Sequence, residues 1–345
     1  MDDVLEPLKE AVALLAEGRS LSAEQAGAAV AAIVSGQAPD SLMAAFLMGL
    51  RVKGETPEEL YGCARAMRAA ARTIRPRRRP LVDTCGTGGD GSHTFNISTA
   101  AALVISGAGA AVAKHGNRAL SSRCGSADVL EALGLRLLAD PDQVERCIDE
   151  VGFGFLFAPY FHPATRHAAG VRRALGVRTV FNLLGPLTNP AGAEGQVIGV
   201  FQASWCAPLA RAAGMLGVRR CLVVHGAGGA DELTLEGPVR IAHLQDGEVR
   251  EEDLDPASLG FAPVPLAALR GGGAEDNAAR IRSVLEGAPG PARQVVLLNA
   301  AAAAVAAEMA EDLAEGLEVA RRALDSGAAR ERLEQAVAWT RARAS

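Results

Sequence analysis

Leu81-Val82-Asp83-Thr84-Cys85 followed by Gly86-Thr87-Gly88-Gly89-Asp90-Gly91 is the stretch that decides the fold. The first five residues read as a short buried strand and the next six as a glycine loop. Ser98–Ser106 then reads as a helix and Ala110–Ala113 as a second strand. Strand, loop, helix, strand is the repeating unit of a mostly parallel sheet covered by helices on both faces. The same rhythm returns downstream. Phe153–Phe157, Gln196–Phe201 and Cys221–His225 read as buried strands, with helices such as Ala207–Leu216 between them. Asp246-Gly247, set between Val239–Leu244 and Val249, predicts a hairpin. From Ala274 onward the pattern is helical and alanine-rich.

Upstream of Leu81 the period changes. Residues 1–72 read as four helices separated at Gly18, Gly36 and Gly54, with no β-run among them. Ser22 with Gln25 forms a capping-box pattern, and Thr56-Pro57-Glu58-Glu59 is a stronger start signal: Thr caps, Pro takes the first helical position, and the acids complement the helix dipole. The expected organisation is α/β, with a small all-helical domain over 1–74 hinged to a larger α/β domain over 80–345. The run Arg75–Pro80 reads as a solvated linker between them. His162–Pro190 fits neither pattern. It is helical through Ala164–Leu175 and then passes through Gly185-Pro186-Leu187-Thr188-Asn189-Pro190, so part of 164–192 is expected to return to the helical domain.

Composition narrows the class. The chain has 345 residues, of which 49% are hydrophobic and 22% charged, enough for a sizeable core without covalent staples. Its six cysteines are scattered and form no C-x-x-C pair, which argues for reduced thiols in a cytoplasm and against a structural zinc site. Asp2, Asp3, Glu6, Lys9 and Glu10 charge the place where a secretory signal would need apolar residues. The apolar stretch Ala100–Ala113 is broken by Ser106, Gly107 and Gly109 and falls short of the ~18 residues of a membrane span. A net charge of −5 speaks against a nucleic-acid surface.

The glycine loop matches G-x-G-x-x-G, a weak signal alone. A dinucleotide site would require an acidic residue about 20 positions on, yet no Asp or Glu occurs between Asp90 and Asp128. That acid-free stretch instead holds Lys114, Arg118 and Arg123. A P-loop is excluded because the chain contains no Gly-Lys pair. Glycines let backbone N–H groups approach phosphate oxygens, and a helix N-terminus adds a favourable dipole. Asn96, Ser98 and Thr99 stand where that helix begins, as N-caps and as ligand contacts. Lys114 is one of only three lysines in an arginine-rich chain, and at a strand's end it suits a site wanting a compact point charge. The ligand indicated is a polyanion.

With these residues in view, the chain resembles the anthranilate phosphoribosyltransferase family over essentially its full length. Four motifs carry the resemblance: Gly86–Asp90 running on to Thr94–Thr99; Lys114–Arg118 with Gly125–Asp128; Arg172 within Val171–Pro190; and Asp231-Glu232. The resemblance implies the nucleoside phosphorylase/phosphoribosyltransferase fold, usually as a homodimer contacting through the helical parts. It implies transfer of a phosphoribosyl group from 5-phosphoribosyl 1-pyrophosphate to anthranilate, in tryptophan biosynthesis. Gly86, Gly89, Asp90, Thr94, Asn96, Ser98, Thr99, Lys114, Ser122 and Ser126 would line the phosphoribosyl pyrophosphate site. Gly86, Asn117 and Arg172 would hold anthranilate, and Ser98, Asp231 and Glu232 would bind Mg2+. Ala119, Cys124, Thr165 and Gly170 depart from the commonest family pattern, but none removes a charged or metal-binding group.

The residue types suit that chemistry. Magnesium is hard and oxygen-seeking, and one or two carboxylates plus substrate phosphates commonly hold it. Asp231-Glu232 lies in a glycine-flanked loop after the strand Cys221–His225, where adjacent acids can converge. Arg172 offers a bidentate fork to a carboxylate. An aromatic amine is already neutral at pH 7, so no strong general base is required. His115 serves either positioning or structure, and no role attaches to the other histidines. Two other readings share the architecture. One is a pyrimidine nucleoside phosphorylase, which would not need Asp231-Glu232. The other is a non-catalytic nucleic-acid-binding relative, which would want a basic surface.

Overall fold

The computed structural model describes residues 2–119 and 123–343, so Ser122 lies outside the described residues. Helices α1 (Asp2–Ala16), α2 (Ala23–Val34), α3 (Asp40–Lys53) and α4 (Pro57–Ala69) come first. Both capping boxes are made. The Gln25 N–H donates to Ser22 Oγ at 3.2 Å, and the Ser22 N–H donates to Gln25 Oε1 at 2.9 Å. Thr56 and Glu59 repeat the exchange at 3.2 and 2.8 Å. The Glu59 carboxylate is fully buried and also accepts from the Leu21 N–H at 2.8 Å and from Lys53 Nζ at 2.9 Å. It therefore ties the start of α2 and the end of α3 to α4.

The rest of the chain alternates as expected. In order it forms β1 (Leu81–Gly86), α5 (Ile97–Gly107), β2 (Ala111–Gly116), α6 (Ser126–Ala132), α7 (Pro141–Val151) and β3 (Phe153–Phe157). Then follow α8 (Ala158–Phe161), α9 (Arg166–Leu175), α10 (Phe181–Leu187), β4 (Gly195–Gly199), α11 (Cys206–Met215) and β5 (Arg220–His225). The hairpin β6 (Val239–Gln245) and β7 (Glu248–Leu254) turns at Asp246-Gly247. Four helices close the chain: α12 (Ala274–Leu285), α13 (Pro291–Ala306), α14 (Leu313–Asp325) and α15 (Ala328–Arg341). One seven-stranded sheet has the order β3-β2-β1-β4-β5-β6-β7. Its first five strands are parallel and the hairpin is antiparallel. β2 extends beyond the expected Ala113 because its pairing with β3 continues to Gly116↔Phe157, which puts Lys114 and His115 inside the strand.

Period-2 alternation sorts the sheet's side chains between two cores. Ile198, Cys221, Val223, Ala242 and Leu244 face a core shared with α11 and the amino-terminal helices. Val197, Leu222, Val224 and Ile241 face the core built by α5, α12, α13, α14 and α15. Within α13 every residue from Val295 to Ala306 is buried, as a helix with apolar groups all round must be.

The excursion after His162 packs against the amino-terminal helices. Ala168 and Val171 of α9 and Phe181, Leu184 and Leu187 of α10 share their core, with α9 against α2 and α3 and α10 against α4. Arg68 strengthens that joint: Nε donates to the Leu187 carbonyl at 2.7 Å and Nη1 to the Leu216 carbonyl at 3.1 Å, satisfying orphan acceptors at two helix ends. The Arg75–Pro80 run is solvent-exposed along its arginines, as expected of a linker, but its backbone is tied down. Asp149 Oδ1 accepts both the Arg77 and Arg78 N–H groups at 2.7 and 3.1 Å, and Arg79 pairs with Glu194 at 3.0 Å. Among the described residues no helix is long and apolar enough to cross a membrane.

Removing Glu59 would leave Lys53 without its buried partner and two backbone N–H groups, those of Leu21 and Thr56, unsatisfied. Breaking such a pair costs about 3–5 kcal/mol. We expect Glu59→Ala to lower unfolding free energy by about that amount, measured by urea denaturation. A midpoint unchanged from wild type would contradict the account.

Candidate active site

The strand order reverses between β1 and β4, so a crevice opens at their carboxyl ends, where α/β proteins bind ligands. Gly86 ends β1 opposite Gly199 of β4. A Cβ on Gly86 would stand 2.2 Å from Asp231 Oδ2, and one on Gly199 would stand 1.6 Å from the Asp231 carbonyl oxygen. Only glycine on both strands lets the loop after β5 fold over this edge. Asn299, the polar interruption in α13, anchors that loop from below. Its Oδ1 accepts from the Leu233 N–H at 3.1 Å, and its Nδ2 donates to the Leu233 carbonyl at 2.8 Å.

The two acids consequently converge on the phosphate-type elements. Asp231 Oδ2 accepts the Gly88 N–H at 2.7 Å, and Glu232 Oε1 accepts the Ser98 N–H at the start of α5 at 3.1 Å. Asp90 Oδ2 accepts the Asp231 N–H at 3.2 Å. Each acid keeps a solvent-accessible edge but is closely surrounded by protein. Burial, followed by repulsion from Asp90, pushes Asp231 up to about 7. Burial, followed by repulsion from Asp231, pushes Glu232 up to about 8. Such a crowded pair is relieved by a divalent cation. Among the described residues no set of three or more His, Cys, Asp or Glu side chains closes on one point. Two carboxylates with room for substrate oxygens fit magnesium better than a closed protein cage would.

Two cavities adjoin at the glycine loop. One, of about 220 Å³, is lined by Gly88–Asn96, Ser98, Cys124, Asp231 and Glu232. The other, of about 240 Å³, is bounded by Gly86, Thr87, His115, Asn117, Arg172 and Phe181 among others. The Arg172 guanidinium stands 5.1 Å from the centre of the Phe181 ring, and burial lowers its pKa. His115 Nδ1 faces the Gly185 carbonyl at 3.2 Å and so must donate, leaving Nε2 as a buried acceptor without a partner among the described residues. Burial and the neighbouring His162 push His115 down to about 3, so its ring is neutral. A larger cavity, about 530 Å³, lies between the β6–β7 hairpin and the α13–α14 junction and touches none of these loops.

Several residues singled out by sequence stand differently from their simplest reading. Lys114 is 1% exposed and donates Nζ to the Thr84 carbonyl beneath the loop. Asn96 does not cap α5. Its Nδ2 donates to the Cys124 carbonyl at 3.1 Å, and its Oδ1 accepts from Asn277 at 3.0 Å. Thr99 is fully buried one residue beyond Ser98. Gly89, Asp90 and Thr94 line the smaller cavity, and Ser126 Oγ donates to the Asn117 carbonyl at 3.3 Å. Sequence reasoning missed His162, Asn182 and Gly185, which line the second cavity, and Asn299. The first three sit in the excursion flagged as irregular, and Asn299 is the lone polar residue in an alanine run.

A helical bundle set on a mostly parallel sheet, with a glycine loop and two carboxylates at the switch point, defines a class of group-transferring enzymes acting on phosphorylated sugars. The family described as "Glycosyl transferase family, a/b domain" matches residues 78–330, and "Glycosyl transferase family, helical bundle domain" matches 9–71. The anthranilate phosphoribosyltransferase of Symbiobacterium thermophilum is 53% identical over 328 residues, covering 95% of this chain and 96% of that protein. That of Thioalkalivibrio sulfidiphilus is 51% identical over 333 residues, covering 96% and 98%. The crystal structure of the Thermus thermophilus enzyme superimposes with a TM-score of 0.91 at 51% identity, covering 96% of this chain and 99% of that one. The Saccharomyces cerevisiae enzyme in complex with PRPP and Mg gives 0.88 at 28% identity, covering 99% of each. The chain belongs to the anthranilate phosphoribosyltransferase family.

Carboxyls held above their unfolded values keep protons that the unfolded chain has released. Between about pH 4 and about pH 8 these two groups bind more protons in the folded state, and their contribution to stability falls as pH rises through that window; below about pH 6.5 the neutral rings of His115 and His162 act in the opposite sense. In a chelator, melting temperature is expected to drop from about pH 6.5 to about pH 8, and added magnesium should restore it. Asp231→Asn with Glu232→Gln should abolish both the drop and the magnesium gain. A double variant that retains both would refute the convergence of charge on these two groups.

Proposed function

We propose that this enzyme joins anthranilate to 5-phosphoribosyl 1-pyrophosphate. The anthranilate nitrogen forms a bond to ribose carbon 1, the bond from carbon 1 to the pyrophosphate oxygen breaks, and the amine gives up a proton. The carrying observation is the pair of cavities meeting at Gly86–Gly88, with Asp231 and Glu232 converging on the side where a diphosphate would lie. Phosphate oxygens would meet the loop's backbone N–H groups and the amino end of α5, with Gly89, Asp90, Thr94, Asn96, Ser98, Thr99, Lys114, Ser122 and Ser126 forming or supporting that site. Bound magnesium would neutralise charge growing on the leaving diphosphate. Asp231 and Glu232, with Ser98 beside them, are the residues to hold it.

The second cavity suits anthranilate. Among the described residues no acid offsets the burial of Arg172, and its guanidinium matches a carboxylate bidentately. Phe181 gives the ring an apolar wall, and Asn117 and Gly86 bound the reacting end. His115, with its ring neutral, borders the same cavity. The chain's residues thus position a nucleophile that needs no strong base.

The same reading assigns residues 1–74 with part of 164–192 to the helical domain and 80–345 to the α/β domain. It makes the working form a cytoplasmic homodimer joined through the helical parts, where Val4 and Val52 are left exposed. Sedimentation as a monomer at micromolar concentration would remove the dimer.

Loss of anthranilate fluorescence with phosphoribosyl pyrophosphate and magnesium tests the activity, with phosphate plus thymidine or uridine as control. Turnover only in the control would replace the proposal by the phosphorylase reading. Arg172→Ala should raise the KM for anthranilate about 10-fold or more, since a charged hydrogen-bond pair is lost, and barely move the KM for phosphoribosyl pyrophosphate. Equal losses for both substrates would contradict the placement of anthranilate.

A further inference from the structure

Arg178 lies in the link between α9 and α10, within Val171–Pro190, and the sequence attached no role to it. It is exposed, and its guanidinium carbon sits 4.1 Å from the centre of the Phe201 ring just beyond β4. From there Nη2 donates to the carbonyl of Gly89 in the glycine loop. The side chain therefore crosses the switch-point crevice, stacked on one wall and resting on the loop that forms the other. The same link runs between Arg172 and Phe181, which line the second cavity.

The electrostatics of the smaller cavity make this placement informative. Its walls carry Asp90, Asp231 and Glu232 and, among the described residues, no Lys or Arg. None of the three cations that sequence reasoning assigned to a polyanion lines that cavity. Lys114 is buried on the Thr84 carbonyl. Arg118 is paired with Asp128 at 2.9 Å and Glu131 at 2.6 Å. Arg123 is exposed and does not line the cavity. A sugar bearing a phosphate and a diphosphate brings several negative charges to a site already holding three carboxylates. One divalent ion offsets only part of that. A single carbonyl occupies one of the five N–H groups of a guanidinium, whereas two phosphate oxygens match its fork.

We propose that Arg178 is a substrate-binding residue whose guanidinium passes from the Gly89 carbonyl to the diphosphate oxygens of 5-phosphoribosyl 1-pyrophosphate. This rests on the function proposed above and adds the cation that the cavity itself lacks. Stacking on Phe201 keeps the fork over the crevice before the substrate arrives.

Steady-state kinetics and calorimetry on the full-length protein test it with three variants. Arg178→Ala and Arg178→Gln should each raise the KM for phosphoribosyl pyrophosphate, and its Kd with magnesium, about 10-fold or more. Arg178→Lys should recover most of the loss, and the KM for anthranilate should stay within about twofold of wild type in all three. If Arg178→Gln matches wild type, a neutral hydrogen bond to Gly89 suffices and the proposal fails. It fails equally if Arg178→Ala leaves the Kd unchanged, or if both substrates lose affinity together. Calorimetric binding needs no turnover. A wild-type protein that binds phosphoribosyl pyrophosphate but does not consume anthranilate would therefore overturn the proposed reaction and leave the Arg178 contact to be judged on its own.

Discussion

The site depends on how closely the loop carrying Asp231 approaches the ends of two strands. Gly86 and Gly199 present no side chain to that loop, and a single methyl on either would overlap Asp231. Because the approach is permitted, a carboxylate can accept from the Gly88 N–H while its neighbour accepts from the Ser98 N–H. Asn299 holds the loop by hydrogen-bonding both polar groups of the Leu233 backbone within the core. The resulting cluster is electrostatically unfavourable by itself. Charge is concentrated where burial raises its cost, the condition under which a divalent ion and its substrate oxygens bind with most effect.

A second constraint is the double allegiance of residues 162–190. In sequence they belong to the α/β half, yet α9 and α10 bury their apolar faces against the amino-terminal helices. The second cavity is accordingly walled by Met67 of α4, by the ends of β1 and β2, and by this excursion. Arg68 fastens the assembly by donating to the ends of α10 and α11. Motion of the helical unit against the sheet would alter the wall that holds Arg172 and Phe181.

Buried polar chemistry lies beneath the loop where the two cavities meet. Asp83, fully buried in β1, accepts from Asn189 Nδ2 at 2.8 Å and from the His115 N–H at 3.1 Å. Asn189 also donates to the Ala113 carbonyl at 2.8 Å. Burial raises the Asp83 pKa, and the neighbouring Lys114 charge opposes that rise. The network satisfies groups that would be costly to leave unpaired, and it fixes β2 relative to the end of α10. His115, which donates from Nδ1 to the Gly185 carbonyl at one wall of the second cavity, is held by the same network.

Short-range physics made much of this legible in the residues. Side-chain period separated helices from strands, Thr56-Pro57-Glu58-Glu59 announced a helix start, and Asp246-Gly247 announced a hairpin. The acid-free run after Asp90 suggested an anion site. These features depend on neighbours within one or two turns. What the tertiary structure alone decided involves groups far apart along the chain. Gly88 and Asp231, 143 residues apart, meet through a hydrogen bond, and Lys114 turns inward to Thr84 although its position suggested an open site. Asn96 leaves its capping geometry for Asn277, and Arg178 reaches Gly89 across the crevice. Chain order encodes local preference, but the direction in which a side chain finally points is set by the packed surfaces and trapped charges around it. Those exist only once distant segments have closed on one another.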